Sequence, residues 1–200
     1  MTHNSTKILN DLHQRTEAIL QKAIGTWQML PPEQLAQQPA PGQWSAAQCL
    51  QHLNFYGHYY LPALEKAIET AKQRGLTSTG KFQSGWLGAY FTNLMKPQPN
   101  GQLKSKMASP KNAIPAAAPD PVATLMEFIE QQEHLLQLLE AARAVDLTAI
   151  RVPISLTRLI RLRLGDTFGF VIAHNERHVL QAERSIHVPV GAGKVVLSQL

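Results

Sequence analysis

The chain has only one cysteine, Cys49, in 200 residues. This excludes an internal disulfide framework and any cysteine-based zinc cluster, and it fits a reducing compartment. A bound metal would need His, Asp or Glu. Charge is also sparse, at 16% of residues against a typical ~25%, whereas 44% are hydrophobic, so general disorder is excluded and a single globular domain with its own core is expected. No stretch approaches the ~20 consecutive apolar residues of a membrane helix. Met1–Leu20 carries polar or charged residues every few positions, with no apolar signal core. A cytoplasmic protein without a membrane partner is expected.

The formal net charge of +5 would suit nucleic acid if the basic residues clustered on one face. They are mostly dispersed. The densest run, Arg158, Arg161 and Arg163, alternates with Leu159, Ile160, Leu162 and Leu164, and it reads as an amphipathic strand with its charged face in water. Nucleic acid is therefore not an expected partner.

The periodic signals are helical, and the one Asn-Gly pair, Asn100-Gly101, lies among prolines rather than between alternating strands. Ile8, Leu12, Ile19, Ala23 and Trp27 predict a first helix over Ser5–Leu30, stopped by Pro31 and Pro32. After a Gln- and Pro-rich connection ending at Gly42, Ser45 with Gln48 forms a capping box that opens a second helix to about Arg74. Pro62 should kink this helix or leave one carbonyl unpaired. Gly75 is the expected C-cap, with Lys72 and Arg74 placed to meet the helix dipole. From Leu76 to Pro121 the pattern weakens to an irregular excursion with a short helix around Trp86–Met95, a span long enough to be a lid or disordered. Asp120 caps a third helix that starts at Pro121 and runs to about Ala144. Asp146–Leu164 reads as a connection with extended, β-branched pieces. Asp166 is the expected cap of a fourth helix ending near Ile186. The fold class is therefore all-α: a four-helix bundle over residues 1–187, with a long irregular connection between its second and third helices and a tail over 188–200.

The candidate chemistry lies in the histidines. His174 and His178 are four residues apart on one helix face, close enough for both imidazoles to reach one ion. Their stripe continues through Phe170, Val171 and Gln181, so it faces the core, where the alternative role of each imidazole is a hydrogen bond to a carbonyl or hydroxyl. A zincin site is excluded, because Asn175 stands where the general-base Glu would follow the first His. Glu176 lies roughly 200° around the helix from His174 and should face solvent or an arginine. An open catalytic metal site needs a third protein ligand. His52 is the best candidate, on an uncharged stripe with Cys49, Tyr56 and Ala63. His58 and His187 fall on the wrong faces of their helices, and His13 and His134 stand among polar neighbours.

Trp44-Ser45 followed by His52-Leu53, then Gly165-Asp166 opening a helix with His174-x-x-x-His178 and Gln181, resembles the DinB/YfiT-like superfamily, as does the Val152-Pro153 region before the last helix. The resemblance covers the chain from the first helix to about Ile186. It implies a four-helix bundle in which His52, His174 and His178 bind a divalent metal ion such as zinc, nickel or iron. It further implies a metal-dependent enzyme, a thiol transferase or a hydrolase, that activates a thiol or water for attack on a small electrophile. A non-catalytic module stapled by its metal and a metal-free buried histidine network are the alternatives. The expected partners are a small-molecule substrate and a low-molecular-weight thiol, with a homodimer left open. Cys49 is expected to pack as a small apolar residue rather than line the site, and Tyr56 and Tyr60 could donate hydrogen bonds there.

Overall fold

The computed structural model describes residues 2–98 and 109–187, and within them the chain is mainly helical. A short strand β1 (Thr2–Asn4) leads into α1 (Ser5–Gly25), whose first turn is capped by the Asn4 side chain accepting from the Lys7 amide at 2.9 Å. Leu9, Leu12, Ile19, Leu20 and Ala23 form its buried stripe. This helix is shorter than its periodicity predicts. It ends at Gly25, a poor helix former, and the chain tightens into a single turn over Trp27–Met29 that tucks Trp27 under the core. Pro31 and Pro32 do not terminate α1. Pro32 instead begins a short helix α2 (Pro32–Ala36), at the first-turn position where its missing N–H costs nothing.

Helix α3 (Ala46–Gln73) opens with the full capping box: Gln48 N–H donates to Ser45 Oγ and Ser45 N–H to Gln48 Oε1. It runs unbroken through Pro62, because the buried Leu61 and Leu64 hold it in the core on either side of the lost hydrogen bond. It closes in a Schellman motif, with Gly75 at φ 64° and the Leu76 amide donating to Ala71 O.

The described parts of the excursion after Leu76 are more structured than its composition suggests. Strand β2 (Lys81–Gln83) pairs antiparallel with β1, and α4 (Trp86–Met95) packs on the last helix. Residues 109–120 include one turn at Lys111–Ala113. The chain is pinned to α3 there: Gln48 Nε2 donates to Ala116 O and the Ala116 amide to Gln51 Oε1. Helix α5 (Pro121–Ala141) is capped by Asp120, which accepts from the Val122 and Ala123 amides. Strands β3 (Arg151–Ile154) and β4 (Thr157–Arg163) form a hairpin that pairs Val152 with Leu162 and shifts register at Pro153/Ile154.

Helix α6 (Leu164–Ile186) starts two residues before the expected cap. Asp166 lies inside its first turn, buried, and accepts from Ser84 Oγ at 2.5 Å and the Gly85 amide at 2.8 Å. Asp166 thus ties α6 to the segment before α4, and the start of α6 is set by the Leu164 amide donating to Ile150 O. The tail expected over 188–200 lies outside the described residues.

Among the four long helices, α3 packs against α5 and α6, and α1 packs against the same two. Arg15 and Lys22 of α1, seven residues apart, pair with Glu176 and Glu183 of α6, also seven apart. The core has two apolar clusters. Leu64, Leu139, Phe168 and Ile172 belong to one, and Trp27, Leu50, Phe128 and Ala182 to the other. On α6 the stretch between the residues feeding the two clusters holds His174 and His178, whereas His52 on α3 stands among residues of the second cluster, between Leu50 and Leu53. No helix among the described residues is long and apolar enough to cross a membrane.

Candidate metal centre

Two helices build the site. His174 and His178, one turn apart on α6, meet His52 from the first turns of α3, and one ring nitrogen from each lies within 4.8 Å of the others. Ring centroids are 4.7 Å apart for His174 and His178, 4.6 Å for His52 and His178, and 5.3 Å for His52 and His174. All three side chains are buried. Trp44 lies over His52 and His178, and Tyr56 meets His52 and His174 edge-on at 5.0 and 4.8 Å.

The hydrogen bonds orient two of the rings. His52 Nδ1 lies 2.7 Å from Ala113 O, and because a carbonyl only accepts, Nδ1 carries the proton and Nε2 keeps its lone pair. His178 Nδ1 likewise donates to Gln181 Oε1 at 3.0 Å. Donating one ring N–H to a carbonyl or amide oxygen while the other nitrogen stays free is the usual arrangement around a metal-bound imidazole. His174 has no hydrogen bond among the described residues; its neighbours are the other two imidazoles, Tyr56 and a stacked Phe170.

Electrostatics favour the neutral, ligating form. Burial presses His174 well below the ordinary histidine value, and His178, His52 and Arg177 add to the effect. Burial likewise takes His178 down to about 3, helped by His52 and Arg177 and opposed by Gln181. His52 is lowered less, since its bond to Ala113 O partly offsets desolvation. Neutral imidazoles need not lose a proton before binding a cation. Three of them balance none of the charge of a divalent ion, and imidazole suits zinc, nickel and iron alike. The donor set therefore fits a divalent metal.

The other candidates fall outside the cluster. Glu176 forms a two-pronged pair with Arg15, at 2.7 Å for each contact. His13 stands between Glu17 and Glu140, and His58 contacts Glu127 at 2.6 Å; His134 and His187 are not among the clustered histidines. Cys49 is fully buried in the apolar core, where desolvation pushes its thiol up to about 12. Tyr60 turns away from the site: its hydroxyl donates to Ser155 Oγ and accepts from the Ser155 amide, holding the β3–β4 hairpin. Sequence reasoning misses Ala113, whose backbone carbonyl orients His52 from the excursion. No side-chain signal could reveal it.

A cavity of about 860 Å³ opens over the histidines, with Trp44, Tyr56, Met95 and Arg177 among its lining. No curated protein and no solved structure matches the chain. The profile of the DinB superfamily, however, matches residues 12–182, a span that holds all three clustered histidines and the helices that carry them, and the chain belongs to that superfamily.

Proposed function

We propose that this chain is a metal-dependent enzyme whose one domain, residues 1–187, is a four-helix bundle binding a divalent ion through His52, His174 and His178. The observation that carries this reading is the convergence of three buried, neutral imidazoles beneath an open cavity. Three protein ligands leave an exchangeable position, whereas a structural zinc is normally closed by four. The metal would supply Lewis acidity, lowering the pKa of a thiol or water so that it can attack a small electrophile.

The chain's own residues do the rest. Ala113 O and Gln181 Oε1 fix two ring orientations through Nδ1, so that Nε2 of each would be the nitrogen free to hold a metal ion. Trp44 and Tyr56 pack against the imidazoles and form part of the cavity wall. The net positive charge of a site with three neutral ligands favours an anionic fourth ligand such as thiolate or hydroxide.

Metal analysis of purified wild-type protein should find close to one ion per chain, and His52→Ala, His174→Ala and His178→Ala should each lose it. With cobalt in the site, 2-mercaptoethanol should produce a sulfur-to-metal charge-transfer band. Full metal content in all three variants would refute the ligand set. A cobalt spectrum indifferent to thiols and small anions would leave a closed, stapling metal and refute the catalytic reading.

A further inference from the structure

The segments around the cavity share a property that metal binding does not require. No Asp or Glu occurs between Glu33 and Glu65, between Glu69 and Asp120, or after Glu183. Outside α6, the described residues lining the cavity all come from the first two of these stretches. Helix α6 has two acids near the site, Glu176 and Glu183, and both turn to α1, where Arg15 and Lys22 hold them. Its arginines point the other way. Arg177 and Arg184, seven residues apart and hence on one helical face, line the cavity together with His174, His178 and Gln181. Arg177 is only 5% exposed, and Arg184 is exposed.

A concave wall with two guanidinium groups and no carboxylate among its described residues concentrates positive potential, and its apolar portions strengthen that field. Guanidinium binds oxyanions through paired, charge-assisted hydrogen bonds. The apolar lining, Trp44, Tyr56, Met95 and Ile114, offers contact area for the body of a ligand, and about 860 Å³ is ample for a small molecule.

We propose that the cavity takes a small molecule bearing an oxyanion, a carboxylate or a phosphate, seated by Arg177 and Arg184 beside the three histidines. The inference rests on the metal-site reading only for which end of the ligand reacts; the arginines alone define the anion subsite.

The test is calorimetric titration of the metal-loaded full chain with glutarate and with butyl phosphate, each compared with the uncharged pentane-1,5-diol. At least one anion should bind about 10-fold or more tighter than the diol, the range expected for a hydrogen bond to a charged group; which anion wins identifies the oxyanion. Arg184→Gln, at an exposed position, should remove most of that preference. Arg177→Gln should do the same, with the neutral Arg177→Met as the substitute if the glutamine variant does not fold. Metal content and the cobalt–thiol band with uncharged 2-mercaptoethanol should stay as in wild type. Anions no tighter than the diol, or a preference that survives both arginine substitutions, would overturn the proposal. A missing thiol band with intact anion binding would refute the thiol reading alone.

Discussion

Acid should destabilise the metal-free protein through the same burial that keeps its clustered imidazoles neutral. His178 is held at about 3 in the folded chain, whereas an unfolded chain titrates it near 6.5. Because the folded value is the depressed one, the stabilising contribution is complete above about pH 6.5 and is lost as pH falls toward about 3. In that window the unfolded state holds one more proton, and stability declines by about 1.4 kcal/mol per pH unit. At pH 5 His178 alone has removed about 2 kcal/mol, a large part of a typical 5–15 kcal/mol. His174 and His52 are shifted in the same direction and deepen the loss. For a domain of this size about 2 kcal/mol corresponds to roughly 4–8 °C in Tm. Thermal unfolding followed by circular dichroism in the presence of a chelator, at pH 7.5 and pH 5, measures the drop. The His178→Ala protein should lose about 2 kcal/mol less than wild type between those two values. Equal losses in the two proteins would refute the coupling of this histidine to stability.

Phe128→Ala removes a fully buried ring lying 6.5 Å from Trp27 and should cost about 3–5 kcal/mol in denaturant unfolding. A midpoint close to wild type would show that this cluster can collapse around the cavity. Gly165→Ala would place a Cβ 2.7 Å from the Phe82 ring, an overpacking expected to cost about 1–3 kcal/mol; restoration by a second change, Phe82→Leu, should be visible in Tm. Ser45→Ala removes half of the capping box of α3 and should cost about 1 kcal/mol, with metal content unchanged.

The helices were largely legible because their signals are local. The capping box at Ser45 and Gln48, Asp120 before Pro121, and Gly75 after Arg74 each act within one or two turns, and each does in the fold what its residue type allows. Where sequence reading failed, a distant partner decided. Trp27 continues the apolar stripe of α1, but the packing of its ring beside Phe128 accompanies a tighter turn that ends the helix early. Asp166 has the composition of an N-cap, but Ser84 and Gly85 claim its carboxylate, and the Leu164 and Gly165 amides, donating to Ile150 O and Leu147 O just ahead of β3, start the helix before it.

The candidate site divides the same way. The spacing of His174 and His178 is a property of one helix, so four residues of separation were enough to place both imidazoles on one face. The arrival of His52 within 4.8 Å of them depends on α3 packing along α6, a contact between positions more than a hundred residues apart that no periodicity encodes. Local hydrogen-bond geometry and the 3.6-residue repeat thus determined the helices and the histidine pair. The third imidazole, the Ala113 carbonyl that orients it, and the turning of Glu176 and Glu183 toward α1 while Arg177 and Arg184 line the cavity were decided only by tertiary structure, because each depends on which surfaces desolvate against one another.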